Sequence, residues 1–292
     1  MSAMAAAPPL PVAPALRPAV AHYTATSRWE AYAAGDFQAT TVAKTLRLQV
    51  HSLAEGMSVT LESGPPSLRT STDTEPLAEL AQRLAALYAR LELLLTPAGE
   101  VAALLNYDAL RQAGEQLLTE LRATTAPDDR VTATLLDFTE RQLASPAALL
   151  HSLQFDYLYQ TLLPGLCHQP FGSPRPPRRF AGFFDKTPLW FAEQVTAEPV
   201  VGTESVGLRV HGPLDLQRTD SVTVQNHLAN ALQLAAASWP GQSPPLPTPH
   251  FCYEAAYTME LATGLPEHAE LTVYARAGQL LNKEYHLTLA RI

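Results

Sequence analysis

Between Thr45 and His51 the apolar residues Leu46, Leu48 and Val50 alternate with Thr45, Arg47, Gln49 and His51. A period of two with one apolar side predicts a half-buried antiparallel strand. After Ala54-Glu55-Gly56 the alternation returns, with Met57, Val59 and Leu61 set against Ser58, Thr60 and Glu62. Two such runs around a glycine-containing turn predict a hairpin. The first ordered stretch lies just ahead, at HYTATSRWEAY. The period then lengthens. Leu77, Leu80, Leu84, Leu87 and Leu91 recur at three- and four-residue spacing, the core stripe of an amphipathic helix. Thr74 and Pro76 suit its first turn, where free amides need an acceptor and proline loses no hydrogen bond. The following LELLLTPAGEVAALLN reads in two ways. Pro97 and Gly99 favour a short strand, a tight turn and a second strand at 100–105; helix–loop–helix is the alternative.

Asn106 stands where a helix cap belongs, before Leu110, Leu117, Leu118 and Leu121. After the break TTAPDDR, helices are predicted over 128–143 and 146–163. Ser145-Pro146 starts the second, Leu149, Leu150, Leu153, Tyr157 and Leu158 form its apolar side, and Pro164-Gly165 ends it. Strands resume within 189–199 and 204–216, and a helix over 222–238 places Leu228, Leu232 and Ala235 together. Beyond the proline-rich WPGQSPPLPTPH, Tyr253, Ala255, Tyr257, Met259 and Leu261 share one side of a strand, with Glu254, Thr258 and Glu260 on the other. Thr263-Gly264-Leu265-Pro266 turns the chain into further alternation at Leu271/Val273 and Tyr285/Leu287/Leu289. Strands, helices and strands again predict an α+β fold. A curved antiparallel sheet from the N- and C-terminal segments would pack on a central helical block, inserted at about 74–166, within one domain of 22–292.

Composition narrows the partners. The 292 residues carry 28 acidic and 20 basic side chains, net −8. Nucleic acids and anionic membranes are held by clustered Lys and Arg, so neither is expected as a partner. Two cysteines, Cys167 and Cys252, do not make a disulfide framework and suit a reducing, cytoplasmic setting. Residues 1–21 are apolar but broken by five prolines and lack a positive start, so a disordered tail is expected in place of a signal peptide. No run approaches the roughly 18 apolar residues of a membrane span.

Recognised chemistry is sparse. Nine histidines are scattered without H-E-x-x-H or C-x-x-C spacing. His250-Phe251-Cys252 sets two ligand types on one strand side, and Cys167-His168 adds two more in sequence; a buried thiol beside a solvated imidazole is the expected outcome, with no metal. Ser205 in GTESVG misses the nucleophile elbow by one residue and reads as structural. No glycine-rich phosphate loop occurs, and no cofactor is expected. Asp128-Asp129 reads as charge at a helix start; Glu267 and Glu270 sit in turn-like positions.

The loop HQPFGSPRPPRRFAGFFDKTP is the most unusual in composition. Arg175, Arg178 and Arg179 among Phe171, Phe180, Phe183 and Phe184 would dock an acidic partner, or else stay wet while the phenylalanines pin the loop.

Three features carry a resemblance: the strand–TPAGEVAALLNYDAL–helix unit, the helical block after it, and the closing YEAAYTMELATGLPEHAELTVYA. Together they resemble uncharacterised bacterial α+β proteins with half-barrel sheets, similar to lipoprotein-carrier and sigma-regulator sensor domains. That resemblance implies a sheet wrapped around helices, able to shelter an apolar ligand, and no catalytic residues. The leading expectation is a non-enzymatic binding or assembly protein with a protein partner, through Arg175, Arg178, Arg179 and Phe183. Two others stand beside it: an apolar-ligand carrier with a pocket lined by Tyr253, Tyr257 and Met259, and a subunit of a bacterial secretion or injection assembly.

Overall fold

The alternating runs become strands of one large antiparallel sheet. The computed structural model describes the chain outside residues 1–12, 34–35, 55, 72–74, 127, 169, 173, 185–186, 238–247 and 279–280. In order come β1 (Ala19–Ala33), β2 (Asp36–Leu53), β3 (Gly56–Ser63), β4 (Ser67–Thr70), α1 (Glu75–Leu87), β5 (Arg90–Leu95) and β6 (Val101–Leu104). The helical block follows: α2 (Tyr107–Thr124), α3 (Arg130–Leu143), α4 (Pro146–Gln154) and α5 (Tyr157–Leu162). β7 (Arg178–Phe184) and β8 (Thr187–Phe191) form a separate ribbon. The rest is β9 (Gln194–Pro199), β10 (Ser205–Gly212), α6 (Ser221–Ala237), β11 (His250–Glu260), β12 (Pro266–Ala277) and β13 (Leu281–Arg291).

The main sheet runs β6-β5-β3-β2-β1-β13-β12-β11-β10-β9, with β4 beside β2. The fold is α+β, as the order of periods predicts. First and last strands meet at its centre, Tyr23 opposite Arg291 and Trp29 opposite Tyr285. β6 and β9 lie at opposite ends of the order, so the chain between them has to travel from one edge to the other. It does so over one face, where α4 meets β6 and α5 meets β12 and β13. That inner face is the core: Tyr23, Leu48, Leu61, Leu91, Leu271, Val273 and Leu289 are all buried. No helix among the described residues is long and apolar enough to cross a membrane.

Several local outcomes differ from the sequence pattern. Leu91 belongs to β5, opposite Leu61, and not to the helix stripe. A spacing of four fits both the helical turn and two strand repeats, so Leu87 and Leu91 look alike in sequence. The strand–turn–strand reading is the one formed: Gly99 adopts φ +89° and its N–H donates to Thr96 O at 2.9 Å. Asn106 precedes α2 but turns its amide back to β5, accepting from Glu92 N and donating to Arg90 O, both at 3.0 Å. The helix expected over 146–163 is two, because the Asp156 carboxylate accepts from Leu158 N at 2.8 Å and Tyr159 N at 3.3 Å and so starts α5 afresh. β7 lies inside the stretch read as a loop, where the prolines of 174–177 stand immediately before a strand.

The chain is structured ahead of His22, within the stretch read as a tail. Leu16 is buried, Arg17 N donates to Thr263 O, and His168 N donates to Pro14 O. Gly264, at φ +70°, admits this segment; a Cβ there would fall 2.5 Å from Ala15 O. The readings placed on residues 1–12, Glu55, Thr74 and most of 239–250 lie outside the described residues, as do the side chains of Pro76, Leu77, Leu232 and Ala235.

Candidate functional site

Lys44 is out of step with its strand. On β2 the inward positions Leu46, Leu48 and Val50 are buried, and the same parity continues to Lys44 and Val42. An ammonium group thus stands on the apolar side of the sheet. Among the described residues it makes no hydrogen bond or ion pair; its nearest specific contact is the Tyr159 ring, 5.9 Å from the nitrogen to the centroid. Burial lowers the Lys44 pKa, with the Asp156 charge pulling it back up.

Asp156 comes from the break between α4 and α5, which carries it over the sheet opposite Lys44. It is exposed, at the crevice that Lys44 also lines, with protein walls on either side. Burial raises its pKa above the ordinary carboxylate range, while Lys44 and the amides of Tyr159 and Leu158 oppose that. Tyrosines surround the pair. Tyr157 stacks on Phe180 and leans on Tyr285, with centroids 5.1 and 4.2 Å apart, and its hydroxyl donates to Ala181 O. Burial raises the pKa of Tyr285, and the Asp156 charge adds to that.

Lys44 and Asp156 border two adjoining cavities. One of about 330 Å³ is walled by Val42, Leu68, Ala85, Leu149 and Leu153 and edged by Ser63 and Tyr88. The other, of about 280 Å³, shares Val42, Lys44 and Asp156 with it and continues past Ser27, Tyr157 and Tyr285. The larger falls in the size range of small-molecule sites, about 300–1,000 Å³. Its walls are mostly apolar, yet the Ser63 and Tyr88 hydroxyls are buried without a hydrogen-bond partner in the structure. Burial pushes the Tyr88 phenol up to about 12, which keeps it a neutral donor. Lys44 thus stands in a crevice edged by the Ser63 and Tyr88 hydroxyls, with Gln82, Gln142, Ser152 and Asp156 as its other polar lining.

The residues singled out in the sequence lie elsewhere. Arg175 and Arg178 turn inward: their Nε atoms donate to Glu193 at 2.9 and 2.8 Å, with side chains 5% and 14% exposed. They also donate to the carbonyls of Pro164 and Gly165. Both are largely enclosed, with Arg178 keeping the larger exposed part. Arg179 lies over Phe155 at 4.4 Å and contacts His151 Nε2 at 2.8 Å. Phe180, Phe183 and Phe184 are core residues. Tyr253, Tyr257 and Met259 are 1%, 3% and 0% exposed, and none lines a described cavity. The Tyr253 hydroxyl donates to Glu193 at 2.9 Å, completing a buried knot with the two arginines. Ser205 donates to Glu267 at 2.8 Å, and Asp129 caps α3 by accepting from Thr132 N. Cys167 is buried, its thiol directed at Gly264 O.

Lys44 itself had a signal, since extending the Leu46/Leu48/Val50 alternation backwards puts a lysine on the apolar side. Asp156 had none, because the apolar pattern runs straight through it. No protein-family model matches the chain, and no curated protein matches it either.

Proposed function

We propose that the protein binds a small amphiphile, an apolar body ending in a carboxylate, in the crevice between the sheet and α4–α5. The observation that carries this reading is Lys44, a cation on an apolar strand face with no hydrogen-bonding partner among the described residues. A ligand carboxylate would take Lys44 as counter-ion beside Ser63 and Tyr88, while Val42, Leu68, Ala85, Leu149 and Leu153 cover its body. Nothing in this role makes or breaks a bond. The resemblance to carrier and sensor domains with half-barrel sheets points the same way. The docking role expected of Arg175, Arg178 and Phe183 draws no support from their positions, since all three are enclosed by the fold.

Isothermal titration of the full chain with decanoate, decanol and decylamine tests the reading. Decanoate is expected to bind one per chain and decylamine not to bind. Lys44→Met removes a charge-assisted hydrogen bond of about 1.5–3 kcal/mol, so decanoate should weaken about tenfold or more. Equal decanoate affinity in wild type and Lys44→Met would overturn the assignment.

A further inference from the structure

On the outer face of the sheet, three metal-ligating side chains meet where β10 borders β11. His211 and Glu254 are register partners across the two strands. Cys252 precedes Glu254 by two residues and so points to the same side. His211 Nδ1 lies 3.9 Å from Cys252 Sγ and 3.8 Å from Glu254 Oε1, and Sγ lies 3.6 Å from the same oxygen. The imidazole distances are long for hydrogen bonds. They are close to what one ion would impose: ligands about 2.0–2.3 Å from zinc at tetrahedral angles stand roughly 3.3–3.6 Å apart. The trio would close by a few tenths of an ångström to share a cation.

The donor set also selects the ion. A thiolate with an imidazole and a carboxylate suits zinc and its neighbours, whereas magnesium and calcium favour all-oxygen sites. Cys252 is 4% exposed at the base, and the His211 and Glu254 side chains, 58% and 61% exposed, flank it. Tyr274 is the register partner of Cys252 on β12, beside the trio. Arg276 is held by Asn282 and Glu284 and does not fill the trio. Beyond His211 and Glu254 an open groove continues past Arg209, Glu270 and Thr272.

We propose that His211, Cys252 and Glu254 bind one zinc-class divalent cation, with a fourth coordination position open to this groove. The sequence reading paired Cys252 with His250 on its own strand. The His250 ring instead lies against Tyr274, 5.7 Å between centroids, and the histidine that meets Cys252 comes from the adjacent strand.

Cobalt(II) titration of the full chain, followed by zinc competition, tests the site. One cobalt per chain should give a thiolate-to-metal charge-transfer band in the near ultraviolet, displaced by one equivalent of zinc and indifferent to excess magnesium. Cys252→Ser should abolish the band and Cys167→Ser should leave it intact, because Cys167 lies elsewhere, against Gly264. His211→Ala, at an exposed position, should weaken cobalt by more than the roughly 10–100-fold that loss of an outer-shell partner brings. Absence of the band in folded wild type, its survival in Cys252→Ser, or an unchanged affinity in His211→Ala would overturn the proposal.

Discussion

Replacing Glu193 by alanine is expected to remove about 3–5 kcal/mol of folding stability, because it leaves buried guanidinium groups without their counter-ion. The Glu193 side chain is 2% exposed and accepts from Arg175, Arg178 and the Tyr253 hydroxyl. The carbonyls of Pro164 and Gly165 would still accept from the arginines, but a carbonyl dipole does not neutralise a buried cation. Glu193→Gln keeps the shape and part of the hydrogen bonding, and should fall between the two. Acid should act on the same knot. Burial alone would raise the Glu193 pKa, but Arg178, Arg175 and Tyr253 outweigh it and leave the carboxyl below its usual value. The folded state therefore holds its proton less tightly than the unfolded chain. The contribution of Glu193 is fully present above the ordinary glutamate pKa of about 4.3 and is lost as pH falls through the lowered folded value. Urea unfolding at a series of pH values should show the gap between wild type and Glu193→Ala narrowing only below that point. A gap under about 1 kcal/mol at neutral pH, no larger than a surface ion pair supplies, would show that the knot is not holding the fold.

Tyr257→Lys is expected to unfold the domain. Tyr257 is 3% exposed, set between Leu208 and Ala269 on the inner face. Burial raises its phenol pKa, and the Arg178 charge acts on it in the opposite sense. An ammonium there would be desolvated at a penalty of several kcal/mol and would meet Arg178 and Arg175 as like charges, with Glu193, already engaged by both arginines, as the one opposite charge. It would also forfeit the aromatic burial, worth about 3–5 kcal/mol on truncation of a large aromatic side chain. Against a total stability of about 5–15 kcal/mol these losses are decisive. Far-ultraviolet circular dichroism should show no cooperative thermal transition for Tyr257→Lys, whereas Tyr257→Phe should melt as the wild type does to within about 1–2 kcal/mol. A cooperative transition retained by the lysine variant would sink the placement of this strand face in the core.

Much of the fold was legible because it is written in local periods. The alternation at Leu46/Leu48/Val50 and at Tyr253/Ala255/Tyr257 fixes which side of each strand is apolar, since a slip of one residue would bury the intervening polar groups. Ser145-Pro146 and Asp129 start helices through contacts within a few residues. Leu91 was misassigned because its spacing satisfies two periods at once. The enclosed positions of Arg175, Arg178 and Phe183 are not legible in the 168–188 loop for another reason. A basic, aromatic loop has the same composition whether it faces a partner or is drawn inward by one distant carboxylate, and Glu193 lies outside the loop.

Local pattern alone gives most of the element types, the apolar side of the strands it finds, and the α+β class. Only the tertiary structure decided what those sides meet. Lys44 faces Asp156 because the chain, leaving the sheet at β6, must cross the inner face to reach β9, and α5 begins partway over that crossing. His211 meets Cys252 and Glu254 because β10 pairs with β11 across the intervening α6 and proline-rich stretch. Side-chain alternation is a property of neighbouring residues and can be read locally. Strand order and the path over the sheet are set by the total burial of apolar surface, which no short segment contains.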